Sequence, residues 1–194
     1  MERAATVVRK TKETNIELTL GLDGGEVVVD TGVGFFDHML TALAVHGGFG
    51  LRLKAEGDWN VDCHHTVEDT GIVLGRAFKQ ALGDRSGIVR YGHAMIPMDE
   101  ALGFCAVDVS GRPYLVFDAA FPQERGDFDT CMTEEFFRAL SDNAGFTLHL
   151  RCPYGKNSHH MIEALFKACA HALCDATAEN STGAVLSTKG TLSE

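Results

Sequence analysis

His64-His65-Thr66-Val67-Glu68 and His159-His160-Met161-Ile162-Glu163 are two copies of one tetrad, His-His-x-x-Glu, offset by 159 − 64 = 95 residues. On a helix the first His and the Glu stand one turn apart (i, i+4), and the second His and the Glu stand at i, i+3. All three heads therefore project from one side of the rod. Adjacent residues diverge by about 100° around a helix, so the paired imidazoles fan toward two ions rather than one. Imidazole and carboxylate donors in this spacing predict a dinuclear metal site. With nine His and thirteen Glu in 194 residues, chance supplies the tetrad about 0.03 times per chain. The competing reading, solvated helix faces that happen to carry histidine, does not account for a second copy.

The tetrads belong to an internal duplication. Phe49-Gly50-Leu51-Arg52-Leu53 aligns with Phe146-Thr147-Leu148-His149-Leu150 at an offset of 146 − 49 = 97, and the turn before each tetrad absorbs the two-residue difference. Extending that offset backwards pairs Leu43 with Leu140, Leu40 with Phe137 and His38 with Glu135. The candidate ligands are then His38, His64, His65 and Glu68 in one half and Glu135, His159, His160 and Glu163 in the other. That is enough for two ions with positions left for water or substrate.

Periodicity gives the order βββαβα twice. Residues 4–12 and 15–22 read as strands, with Leu22-Asp23-Gly24-Gly25-Glu26 as a hairpin turn leading into Val27-Val28-Val29. Gly34 to His46 reads as a helix burying Phe36, Met39, Leu40 and Leu43; a strand at 49–56 and a helix near 64–82 follow. The second half repeats this with strands near 89–97, 102–109 and 113–120, a helix near 131–143, a strand at 146–152 and a helix near 158–178. The fold class is α+β, with half-domains 1–86 and 87–194. Each half forms a sheet with two helices on one face, and the halves pack so that the helices lie between two sheets. Asp127 to Thr130 and the tail after Glu179 are expected to be mobile, from their turn and Ser/Thr/Gly content.

At 45% hydrophobic the chain can bury a full core. Its net charge of −10 and lack of a clustered basic face speak against a nucleic-acid partner. Cys63, Cys105, Cys131, Cys152, Cys169 and Cys174 form no Cys-x-x-Cys pair and read as reduced thiols, with Cys169 and Cys174 as small core residues of an apolar helix. Met1 to Lys12 lacks the apolar centre of a signal peptide, and no apolar run is long enough for a bilayer. A soluble cytoplasmic protein without a membrane partner is expected.

Gly34-Phe35-Phe36-Asp37-His38-Met39-Leu40, Asp62-Cys63-His64-His65-Thr66-Val67-Glu68-Asp69-Thr70-Gly71 and Ser158-His159-His160-Met161-Ile162-Glu163-Ala164-Leu165-Phe166-Lys167-Ala168 resemble the imidazoleglycerol-phosphate dehydratases. So do Arg90-Tyr91-Gly92, Pro97-Met98-Asp99-Glu100-Ala101-Leu102, Ser110-Gly111-Arg112-Pro113 and Ser187-Thr188-Lys189-Gly190. The resemblance covers essentially the whole chain. It implies duplicated half-domains like the second domain of ribosomal protein S5, and a homo-oligomeric shell of 24 subunits with octahedral symmetry. It further implies two manganese ions at each active site between subunits, and dehydration of D-erythro-imidazole-glycerol phosphate in histidine biosynthesis. In that reaction the imidazole ring must serve as electron sink, and ring-bound ions would act as Lewis acids and template.

The resemblance also assigns the phosphate to Arg90, Arg112, Lys167, Ser187 and Lys189, and proton transfer to Glu13, with Glu68 and Glu163 in the catalytic set. Spacing places Lys167 one turn, about 5.4 Å along the axis, beyond Glu163; its counterpart in the first half is Ile72. Asp37 and Asp69 are expected to support ligands or cap, and His46, His93, His149 and His171 to be structural. The chain departs from the commoner family pattern at Glu135, where His is usual, and at Thr41-Ala42, where Asp-Gln is usual. Two rival functions remain open from the residues alone: a dinuclear metal hydrolase of a phosphorylated small molecule, and a metal-dependent assembly protein.

Overall fold

The computed structural model describes residues 3–123 and 126–192. The first half comprises β1 (Ala4–Lys10), β2 (Thr14–Gly21), β3 (Val27–Asp30), α1 (Gly34–Gly47), β4 (Gly50–Gly57) and α2 (His64–Leu82). The second comprises β5 (Tyr91–Met98), β6 (Ala101–Asp108), β7 (Tyr114–Asp118), α3 (Met132–Ala144), β8 (Thr147–Arg151) and α4 (Ser158–Thr177). The sheet orders β1-β2-β4-β3 and β5-β6-β8-β7 trace the same path.

The expected hairpin at Leu22–Glu26 is corrected by this topology. β4 lies between β2 and β3, antiparallel to the first and parallel to the second. Parallel neighbours need a crossover rather than a tight turn, and α1 supplies it. The long β2–β4 ladder pairs Ile16 with Ala55, Leu18 with Leu53 and Leu20 with Leu51, all buried. The short β3, half-buried on alternate residues, is left at the sheet edge.

Phe36, Met39, Leu40 and Leu43 of α1 and Ile162, Leu165, Cys169 and Ala172 of α4 are buried, as their helical spacing predicts. Cys174 differs from expectation: five positions after Cys169 it lies about 140° around the helix, and it is exposed. α1 and α3 end alike, at Gly48 (φ 69°) and Gly145 (φ 71°). A Cβ there would cost about 1 kcal/mol.

α2 packs on α3 and α4 on α1, while α2 also covers β1 and β2, and α4 covers β5 and β6. The helices thus fill the space between the sheets. The α2–α3 seam is close: a Cβ at Gly71 would sit 2.7 Å from Phe136 O, and one at Gly75 2.7 Å from Leu140 O. One apolar core draws on both halves.

Asp127–Thr130 is held more firmly than its turn composition suggested. Phe128 is fully buried, its ring centroid 5.1 Å from that of Phe35 and 6.0 Å from that of Phe36. Burying a phenylalanine stabilises by about 1.5–3 kcal/mol, which outweighs local turn preference. The described tail is also docked: Asn180 Nδ2 donates to Ile88 O and Ala184 O, each at 2.9 Å, and Leu192 is buried.

Candidate active site

Both tetrad helices are entered past an Asx side chain, which is the N-cap itself in α4 (Asn157) and stands one residue before the N-cap Cys63 in α2 (Asp62). Asp62 Oδ1 accepts the His64 N–H (2.7 Å) and Asn157 Oδ1 the His159 N–H (2.9 Å), at positions again 95 apart. These side chains satisfy helix donors that would otherwise lack partners, and so fix where each tetrad begins.

α1 and α4 then bring three donors together. His159 Nε2 lies 3.1 Å and His38 Nε2 3.5 Å from Glu163 Oε2, and the ligand atoms of the three all lie within 4.8 Å of one another. Glu163 is buried, which by itself pushes its carboxyl pKa up. The Lys167 Nζ hydrogen bond to Oε1 (2.7 Å) and the positive charges of Lys167, His38 and His159 outweigh this, holding the carboxyl below its ordinary range. The result is an anionic oxygen aimed between two imidazoles. Two nitrogens and a carboxylate oxygen within 4.8 Å of one another fit a divalent first-row ion.

In the first half His64 Nε2 lies 3.6 Å from Glu68 Oε2. Glu135, the counterpart of His38, stands 3.9 Å from Arg138 Nε. It does not join His64 and Glu68 in a three-donor group among the described residues.

The second histidines turn away, as their 100° divergence requires. His64 and His65 have ring centroids 6.0 Å apart with planes at 76°; His159 and His160 are 6.1 Å apart at 78°. Each outer ring rests Nδ1 on a carboxylate, His65 on Asp58 (3.0 Å) and His160 on Glu100 (2.7 Å). This hydrogen bond puts the proton on Nδ1 and leaves Nε2 as the ring nitrogen able to ligate an ion. It also raises the pKa of both histidines, through Asp58 for His65 and through Glu100 for His160. The Glu100 carboxyl is pushed down to about 2 by His160 and by the backbone N–H groups of Lys156 and Asn157.

Asp58 and Glu100 are the residues that sequence reasoning passed over. One lies 7 positions before its histidine and the other 60, so the pairs share no spacing. The segment Pro97–Leu102, quoted for its resemblance, was the one available signal.

Glu13 occupies the β1–β2 turn, its Oε1 3.9 Å from His65 Nε2. Thr11 Oγ1 accepts the N–H groups of Glu13 (3.1 Å) and Thr14 (3.0 Å), and buried Asp69 accepts from the Arg9 guanidinium and the Thr14 hydroxyl. Asp37 Oδ1 accepts the Thr31 N–H at 2.8 Å. Asp37 and Asp69 therefore hold the loops beside the ligands.

Arg90, Arg112, Ser187 and Lys189 line one open cleft of about 680 Å³, together with Tyr91 and Thr188. Arg90 donates to Asp108 through Nε (2.7 Å) and Nη2 (3.1 Å), and its guanidinium lies 4.7 Å from the Tyr91 ring centroid. Arg112 is more exposed, 3.9 Å from Asp108 Oδ2. Lys167 is not among the lining residues and sits at Glu163 instead. His46 and His171 face each other at 5.6 Å between ring centroids, and His93 and His149 are exposed on strands.

A family model described as imidazoleglycerol-phosphate dehydratase matches residues 31–173. Imidazoleglycerol-phosphate dehydratase of Symbiobacterium thermophilum is 60% identical over 98% of this chain and 93% of its own length. That of Gluconobacter oxydans is 57% identical over 98% of each. Among solved structures, the enzyme of the same description from Staphylococcus aureus superposes with a TM-score of 0.84 at 42% identity, covering 91% of this chain and 99% of that one. The Pyrococcus furiosus structure gives 0.85 at 37% identity, covering 96% and 100%. Sequence similarity of this extent, on a matching fold, means that the chain belongs to the imidazoleglycerol-phosphate dehydratase family.

Proposed function

We propose that the chain is a metal-dependent lyase converting D-erythro-imidazole-glycerol phosphate to imidazole acetol phosphate in histidine biosynthesis. The convergence of His38, His159 and Glu163 carries the reading, in a chain of this family. The proton to be removed is not beside a carbonyl, so the substrate ring has to accept the charge. Two manganese ions, held by His38, His64, His65, Glu68, Glu135, His159, His160 and Glu163, would supply Lewis acidity and orientation at the ring.

Around them the chain's own groups act. Lys167 keeps Glu163 anionic, and Asp58 and Glu100 keep the Nε2 atoms of His65 and His160 directed outward. Glu13 Oε1 takes or returns the proton moved in the elimination. Arg90, Arg112, Ser187 and Lys189 hold the phosphate: the exposed Arg112 offers its guanidinium fork to the oxygens, and Arg90, whose Nε and Nη2 are engaged by Asp108, and Lys167 on α4 add positive charge.

Three donors from one chain leave coordination positions open, and His65 and His160 point away from the group that α1 and α4 build. We assign their completion to neighbouring copies in a homo-oligomeric shell of 24 subunits with octahedral symmetry. Six unpaired cysteines suit a reducing cytoplasm, and no described helix is long and apolar enough to cross a membrane.

Within one chain the cationic cleft is lined by none of the candidate metal ligands, which supports a phosphate subsite distinct from the metal donors and favours this reading over a hydrolase using the same ions. Incubation with imidazoleglycerol phosphate tests it directly. Dehydration yields an enolisable ketone; release of inorganic phosphate would favour the hydrolase, and no turnover would favour a metal-dependent assembly protein.

A further inference from the structure

Arg85 is a buried cation with no part in the site as described so far. It follows the end of α2, is 4% exposed and adopts φ 61°. Its Nη2 donates to Ala144 O at the end of α3 (3.1 Å), and its Nη1 donates to Leu192 O in the tail (3.1 Å). Nε has no hydrogen-bond partner among the described residues, and burial alone lowers the guanidinium pKa. Burying a charge is costly unless its hydrogen bonds compensate. Here the α3 carbonyl end, which carries partial negative charge, offsets part of that cost. The Leu192 carbonyl supplies the other hydrogen bond.

The tail is tied at a second point. Arg90 Nη1 donates to Leu186 O. The two guanidiniums thus bracket Ser187 to Thr191, the stretch that lines the cationic cleft. Within the bracket Ser187 Oγ accepts the Lys189 N–H (3.1 Å) and Ser187 O accepts the Gly190 N–H (3.2 Å). The opposite wall is joined to the same residue: a Cβ at Gly111, next to Arg112, would lie 2.4 Å from Leu192 O and 3.3 Å from Arg85 Nη1. Arg85 therefore touches the two walls and the floor of one construction, while its own side chain stays out of the cleft.

We propose that Arg85 is a positioning residue that seats the C-terminal segment. By holding Leu192 O it fixes Ser187 and Lys189 opposite Arg90 and Arg112, so that four separate groups form one site for a phosphate monoester dianion. The inference rests on the cleft being the phosphate subsite. Arg85 lowers the ordering entropy that binding would otherwise have to supply, the general effect of pre-organisation.

The test uses full-length Arg85→Gln, Arg85→Lys, Leu192→Ser and the Arg85→Gln/Leu192→Ser double variant. Inorganic phosphate affinity by calorimetry, KM and kcat, and the rate of tryptic cleavage after Lys189 are measured. Arg85→Gln should weaken phosphate binding and raise KM by about ten-fold, with kcat within about two-fold. Arg85→Lys, which keeps one donor arm, should fall between Arg85→Gln and the parent. Leu192→Ser keeps the carbonyl that Arg85 holds and removes only the buried side chain, so it should loosen the same segment without altering the arginine, and the double variant should be no worse than the more affected single, as expected when both act by seating that one segment. Cleavage after Lys189 should quicken in step. Unchanged phosphate affinity and unchanged cleavage in Arg85→Gln, or additive losses in the double variant, would overturn the proposal. If Arg112→Ala leaves phosphate affinity unchanged, the cleft assignment fails instead, and the cleavage rates still decide whether Arg85 seats the tail.

Discussion

The Glu163 side chain is 7% exposed and is approached by His38, His159 and Lys167, whereas its duplicate Glu68 is 44% exposed and meets His64 at 3.6 Å. The helices that carry them are preceded by matching Asx side chains, each accepting the N–H of the first tetrad histidine, and present the same fan of two imidazoles. What diverged is the company each keeps. Ile72 stands where α4 has Lys167, and Glu135 stands where α1 has His38. Backbone geometry set by capping and the 3.6-residue turn survives duplication because it does not depend on any one neighbour. Charge surroundings depend on single side chains and can be lost in one step.

Removing the metal should have the largest effect on this pair of half-sites. If each is completed by another copy, metal binding and association are one equilibrium. Chelation should abolish turnover and lower the sedimentation coefficient sharply, and manganese should restore both. A particle that keeps its size after complete metal removal would count against ligand sets shared between subunits.

Single residues sharpen the contrast next. His65→Ala should lower kcat by roughly 10³-fold, the several kcal/mol attributed to Lewis-acid catalysis converted at about 1.4 kcal/mol per decade. Lys167→Ala should chiefly raise KM, by about ten-fold, as loss of a positive charge that attracts the phosphorylated substrate does. Lys167 also pairs with Glu163, so metal affinity must be measured alongside. A fall in metal affinity with KM unchanged would make Lys167 a keeper of the Glu163 carboxylate rather than a phosphate ligand.

The duplication was legible in the sequence because Phe49–Leu53 and Phe146–Leu150 are core strand segments and the tetrads are helical, so both carry a period. Helix faces followed for the same reason. The β2–β3 hairpin was misread because Gly24-Gly25 signals a turn whatever strand comes next, while the pairing is decided by β4, which inserts between them. Of the site, residues joined by helical spacing could be read directly. Asp58 and Glu100 could not, because they reach their histidines across loops whose path only tertiary packing defines.

Those two carboxylates give the third experiment. Both raise the pKa of the histidine they hold, so His65 and His160 keep a proton to higher pH than an ordinary imidazole near 6.5. A metal must displace that proton, so at a fixed metal concentration loading should fall as pH drops. Asp58→Asn and Glu100→Gln should move the midpoint for their own histidine downward while costing roughly 10–100-fold in metal affinity at pH 8, where orientation rather than protonation dominates. Manganese titration across pH reads both. A midpoint that stays in place in both variants would mean the carboxylates do not govern the rings.

The smallest expected effect tests Glu135, the position at which the two halves differ in ligand type. Its carboxylate stands 3.9 Å from Arg138 Nε, and Arg138 also pairs with Glu134. An ion approaching His64 and Glu68 would have to draw Glu135 off the arginine, an exposed pairing worth about 0–1 kcal/mol and therefore easily exchanged for a metal. With Glu135 bound, that half-site would hold two carboxylates and one of the tetrad imidazoles, against one carboxylate and two imidazoles at His38, His159 and Glu163. The oxygen-rich site should favour a hard ion. Glu135→His makes the two donor sets alike, so the preference for manganese over zinc should drop by roughly ten-fold and the loading midpoint should move up, since a histidine near 6.5 replaces a glutamate near 4.3. Competition between the two metals, followed by manganese electron paramagnetic resonance, measures the first change. Equal selectivity in parent and variant would leave Glu135 as a surface partner of Arg138, with the first-half ion completed by a residue of another copy.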